Sequence, residues 1–133
     1  MLDAGHRLRD PELFRAAGRR GLRAGSRTVV THLLLLPERQ VVAMSGAGTT
    51  SGRSPRVGFV VSKAVGTAVV RNQVKRRLRH AVRERIDAVP AGSVLVVRAQ
   101  PAAAGSSYPE LVADLERCLE RVGVSAAVPA EAR

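Results

Sequence analysis

Between Ser62 and Ile86 (SKAVGTAVVRNQVKRRLRHAVRERI) the chain sets Lys63, Arg71, Lys75, Arg76, Arg77, Arg79, Arg83 and Arg85 against the single acid Glu84. Seven of its eleven net positive charges therefore lie in one stretch. Guanidinium groups at this density suit one kind of chemistry: they displace the counter-ions of a phosphate backbone and hold its oxygens through paired N–H donors. Catalytic chemistry of the chain's own has no comparable support. The serines lack a nucleophile-elbow setting. His6, His32 and His80 fall in separate segments with no acid or cysteine at ligand spacing, so no metal ligand and no catalytic residue is assigned. Glu110 and Asp114 read as the outer face of a surface helix, not as a paired-carboxylate nuclease site. The only aromatic rings are Phe14, Phe59 and Tyr108, too few for a general single-strand binder that stacks several bases. Phe14 stands beside a second basic cluster, where core packing competes for it. His32 offers one stacking surface if its side of the strand is open.

The basic stretch predicts a helix. Val70, Val74, Leu78, Ala81, Val82 and Ile86 recur at three- and four-residue spacing, which makes one buried stripe. Thr67, after Gly66, is the predicted N-cap. Asn72, Lys75, Arg76, Arg79 and Arg83 occupy the other arc of the wheel, giving a core side and a cationic side. Arg71 and Arg85 project toward the apolar arc, so their stems are expected to pack and their heads to escape into water. A merely solvated face would mix signs, because like charges at this spacing destabilise a free helix by about 0.2–0.5 kcal/mol per pair. A polyanion removes that penalty.

The other elements follow from the same periodicities. A chain of 133 residues, 45% of them apolar, supports one domain with one core, taken as residues 1–123 with a basic leader at 1–9 and a flexible tail at 124–133. A net charge of +11 points to a polyanionic partner. Of 22 basic residues only Lys63 and Lys75 are lysine. Cys118 is the single cysteine, so no disulfide framework is expected, and no apolar run approaches the ~20 residues of a membrane span; the expected location is cytoplasmic, with no membrane partner. Asp10 and Pro11 predict a helix start, with a short helix over Glu12–Ala17 ending at Gly18; Arg19, Arg20, Arg23 and Arg27 follow in a glycine-containing turn. Strands are predicted over Thr28–Leu36 and Gln40–Ser45, joined as a hairpin at Pro37-Glu38-Arg39, and over Arg56–Ser62 and Ser93–Arg98. Gly46–Pro55 reads as a flexible loop without the Gly-Lys-Ser/Thr ending of a phosphate loop. Strand, basic helix and strand form a crossover with its two strands parallel. Ser107 with Glu110 predicts a capping box, and Tyr108, Leu111, Val112, Leu115, Leu119 and Val122 the stripe of a last helix closed by Gly123.

Gly58-Phe59-Val60-Val61-Ser62-Lys63-Ala64-Val65-Gly66-Thr67-Ala68-Val69 followed by Arg71-Asn72-Gln73-Val74-Lys75-Arg76-Arg77-Leu78-Arg79 closely resembles the signature of the bacterial ribonuclease P protein subunit. The match extends to Arg7-Leu8, Phe14 and Gly21 near the start and to Arg98-Ala99-Gln100-Pro101-Ala102-Ala103 near the end, covering about residues 6–122. Gln73 stands where the family pattern has an arginine, and Lys63-Ala64 where it has a lysine pair. The resemblance implies a two-layer α/β sandwich: a four-stranded mixed sheet with about three helices and a left-handed strand-helix-strand crossover, similar to the second domain of a small-subunit ribosomal protein. It implies that a catalytic RNA subunit carries the magnesium-dependent hydrolysis that removes the 5′ leader of precursor tRNA. The protein would bind no cofactor tightly itself. Arg71, Asn72, Lys75, Arg76 and Arg79 would meet the RNA subunit, and Phe14, His32 and Lys63 would line a groove for the leader. A ribosomal or RNA-chaperone-type protein without a catalytic partner would show the same charge and fold. A DNA-binding regulator is disfavoured, since the basic helix has no helix-turn-helix partner or dimer seam, and no DNA partner is assigned.

Overall fold

The run Ser93–Ala99 (SVLVVRA) is apolar on both faces and takes the place this dictates, an inner strand of the sheet. The computed structural model describes residues 8, 10–35, 55–90 and 92–123. Its elements are α1 (Pro11–Arg20), β1 (Leu22–Gly25), β2 (Val29–Leu35), β3 (Arg56–Val60), α2 (Ala68–Arg83), β4 (Ser93–Ala99) and α3 (Tyr108–Arg121), with 3₁₀ turns at Lys63–Val65, Ile86–Ala88 and Pro101–Gly105. The sheet order is β1-β2-β4-β3; β4 runs antiparallel to β2 and parallel to β3. The expected mixed four-stranded sheet and parallel crossover are therefore present.

Side-chain alternation along β4 divides the interior in two. Leu95, Val97 and Ala99 join Val29, Leu33 and Val57 under α2 and α3, which contribute Val74, Leu78, Ala81, Val82, Leu111, Leu115, Cys118 and Leu119. Val94 and Val96 face the other way, onto Leu8, Leu13, Phe14 and Ala17. The sheet with α2 and α3 makes the two expected layers, and α1 is the described helix on the opposite face.

The starts of the three described helices are set by local chemistry. Asp10 accepts a hydrogen bond from the Glu12 N–H at 2.9 Å ahead of Pro11, and Thr67 Oγ1 accepts from the Val70 N–H. Ser107 and Glu110 close a reciprocal capping box. The ends are less local. α1 does not stop at Gly18 but runs to Arg20, because Ala16 and Ala17 are anchored by burial and two terminal arginines suit the helix C-terminus. α2 ends at Arg83, and Ile86 reaches the core from a 3₁₀ turn.

Two corrections concern the strands. The segment read as a glycine-containing turn holds β1, which pairs with β2 through Leu22↔Leu33, Arg23↔His32, Ala24↔Thr31 and Gly25↔Val30. Four residues suffice because β2 supplies the partner and Ser26 closes the hairpin, its N–H and hydroxyl each donating to the Val29 carbonyl at 2.8 Å. Gly21 makes the turn into β1 possible, since a Cβ there would stand 2.5 Å from the Ala17 carbonyl oxygen. The strand predicted at Gln40–Ser45, its turn at 37–39, residues 46–54 of the loop and the 124–133 tail lie outside the described residues, as does the leader at 1–9 apart from buried Leu8.

On α3 the single thiol, Cys118, is fully buried with Sγ 3.7 Å from the Val29 carbonyl. Asp114, expected on an outer face, is buried: Thr28 donates its hydroxyl to the carboxylate at 2.5 Å, and Arg117 pairs with the other oxygen. Thr31 is the contrasting case, fully buried on β2 with an unpartnered Oγ1. Thr31→Val removes that unsatisfied hydroxyl and keeps the shape, so urea denaturation should show a gain of about 1 kcal/mol.

Candidate nucleic-acid interface

The cationic side predicted for α2 is present. Val74, Leu78, Ala81 and Val82 are buried; Asn72, Arg76 and Arg83 are exposed; Lys75 and Arg79, at the edge of the apolar arc, are half-buried. The first turn of α2 carries no acidic residue. Among the described residues the ion pairs are Arg15–Glu12, Arg27–Glu110, Arg85–Glu84, Arg85–Glu116 and Arg117–Asp114. Lys75, Arg76, Arg79 and Arg83 take no part in them and form a single-signed strip among the described residues.

The two arginines on the apolar arc diverge. Arg71 is half-buried, with Nε shielded and unpartnered. Arg85, expected to have a wet head, is only 15% exposed: it donates to the Ala81 carbonyl at 2.7 Å and to Glu116 at 3.2 Å, tying α2 to α3. Arg77 also turns inward, donating to the Ser106 carbonyl at 3.2 Å.

On the opposite face of the sheet, α1 leaves an open groove of about 450 Å³ lined by Phe14, Arg15, Gly18, Arg19, His32, Val60, Val96 and Arg98. Strand register builds it. His32 sits opposite Val96 on β4 and Arg23 on β1, while Arg98 pairs with Val60. Phe14 reaches the sheet because position 58 is glycine: a Cβ there would overlap the Phe14 ring and press on Leu8 at 3.0 Å. The Gly58 side of β3 is thus filled by an aromatic ring. His32 is 6% exposed and its Nδ1 has no partner. Burial first, then the charges of Arg98 and Arg23, hold its pKa below the ordinary imidazole value. An apolar slot with an aromatic wall and arginines at its rim can take a flat base and the phosphates beside it.

Phe14 and His32 are therefore brought together, whereas Lys63 stands exposed on the 3₁₀ turn between β3 and α2, outside the groove's lining. Arg15, Gly18, Arg19 and Arg98 are not assigned to a groove by the sequence, which places Arg19 only in a basic cluster and Arg98 only at a strand end. For Arg98 a signal existed: it shares the parity of Val94 and Val96 on an inner strand, where an arginine is out of place unless that face opens.

The family model described as Ribonuclease P matches residues 2–123. A ribonuclease P protein component from Nocardioides sp. is 55% identical over 123 residues, 92% of this chain and 96% of that protein. One from Salinispora tropica is 53% identical over 125 residues, 90% of this chain and 91% of that protein. The fold is shared with the RNase P protein of Staphylococcus aureus at 2.0 Å (TM-score 0.73, 22% identity, 90% of this chain and 96% of that one). It is also shared with that of Thermotoga maritima (TM-score 0.62, 21% identity, 82% and 90%).

If Gly58 is the seat of the Phe14 ring, Gly58→Ala should cost about 1–3 kcal/mol of stability by overpacking. Phe14→Ala should then cost less in the Gly58→Ala background than in the parent, a coupling that a denaturation double-mutant cycle reads directly.

Proposed function

This chain belongs to the ribonuclease P protein family, and from that membership we propose that it binds the catalytic RNA subunit of ribonuclease P and the 5′ leader of precursor tRNA. It thereby promotes the endonucleolytic cut that leaves the mature tRNA 5′ end. The observation that carries the reading is the α2 strip, whose cations stay outside every ion pair among the described residues. In this reading Arg71, Asn72, Lys75, Arg76 and Arg79 meet phosphates of the RNA subunit. Phe14 and His32, with Arg15, Arg19 and Arg98 at the rim, hold the single-stranded leader, and Lys63 meets its phosphates from the turn between β3 and α2.

The protein's share of the catalysis is positional and electrostatic. Two large RNAs repel each other, and guanidinium groups placed between them lower that repulsion without any protein nucleophile. Magnesium held mainly through RNA oxygens would supply the hydrolytic chemistry. The described protein residues bring no three metal-ligating side chains together and supply counter-charge. Such a protein works in the cytoplasm, where its precursor substrates are made.

Adding the chain to its RNA subunit at low magnesium should stimulate precursor tRNA cleavage, and an unchanged rate would overturn the reading. The affinity for the RNA subunit should fall steeply with salt. Arg76→Ala should reduce the magnitude of the log–log slope by about one, whereas Val74→Ala should leave the slope intact and cost about 1–3 kcal/mol of stability.

A further inference from the structure

Among the described residues lining the groove, His32 is the one whose charge can change near neutrality. Among the described residues the charged groups facing it are cations: Arg23 from β1, Arg98 from β4, and Arg15 and Arg19 from α1. The β3 wall is the apolar Val60, and Glu12 on α1 is tied to Arg15. A proton on the empty groove's imidazole would add a further positive charge to this set and would leave an Nδ1–H buried without an acceptor. Both features disfavour the charged imidazole in the free protein. A phosphodiester among these arginines reverses the charge penalty, since its negative charge cancels theirs and favours a cation on the ring beside it.

We propose that His32 is a phosphate-binding residue that takes up a proton from solvent together with the nucleic acid, so that filling the groove and charging the imidazole are one coupled event. The inference rests on the groove's being the leader site and gives the ring a different part from stacking: a cation that exists only when an anion is there to meet it. The direction follows from linkage. Binding raises the imidazole pKa, so between the free and bound values the complex holds more protons than its separated parts. Affinity must then rise as pH falls through that window, by up to about tenfold per unit of difference between the two values, and become independent of pH above it.

The test is the Kd of the full chain for a labelled single-stranded oligoribonucleotide at constant ionic strength, from about pH 5.5 to 8.5, a range that spans imidazole titration. The parent, His32→Gln and Arg98→Ala are compared; His6 and His80 are present in all three, so their titration cancels. The parent should tighten as pH falls and converge with His32→Gln at the alkaline end. Parallel profiles for those two proteins overturn the coupling. If Arg98→Ala weakens binding while those profiles run parallel, the groove stands as the leader site and only the proton is wrong. If Arg98→Ala and His32→Gln both bind as the parent does, the groove reading fails and takes the coupling with it. Should His32→Gln fold poorly, the imidazole resonance of the parent decides: its titration midpoint must move upward when the oligoribonucleotide is added, and a fixed midpoint overturns the proposal.

Discussion

The burial of β4 on both faces is the constraint from which the rest of the molecule follows. A strand whose successive residues are Val94, Leu95, Val96 and Val97 must be covered above and below, and must be paired on both edges. Leu95 and Val97 call for α2 and α3 on one side, whereas Val94 and Val96 call for α1 on the other. α1 is only ten residues long and cannot cover that second face completely. The uncovered remainder, where His32 and Arg98 emerge beside Val96, is the groove. A binding slot here is what is left over when a short helix is laid on a wider sheet.

Charge is sorted by the same packing. Three of the four acids of α3 act as fasteners: Glu110 closes the cap and reaches Arg27, Asp114 receives Thr28 and Arg117, and Glu116 holds Arg85. The Ser107 N–H and hydroxyl keep the Glu110 carboxyl below its ordinary range. With these acids engaged, the surplus positive charge collects on the outer side of α2 and around the groove. These two cationic surfaces lie on opposite faces of the sheet, separated by the edge strand β3. Such a division suits a protein that has two different nucleic-acid segments to hold at once.

What could be read in the sequence was whatever local chemistry decides. Asp10-Pro11, Thr67 and the Ser107–Glu110 pair located the helix starts, and the apolar run at Ser93 located the inner strand, because caps and periodicity act over a few residues. β1 was missed because Leu22–Gly25 has no strand character of its own; it becomes a strand by pairing with β2. Asp114 was misplaced because its partner Thr28 lies 86 residues away. Phe14 and His32 were legible as groove residues only through the family resemblance. Their actual setting, with Arg19 and Arg98, depends on a register that no single segment carries.

The lone thiol of α3 has a consequence for watching this protein move. Cys118 is sealed between the helix and the Val29 carbonyl, and the chain contains no second sulfhydryl. An alkylating reagent can reach it only when α3 lifts from β2, so the rate of labelling is a stopwatch for that one separation, built into the native molecule without any added probe.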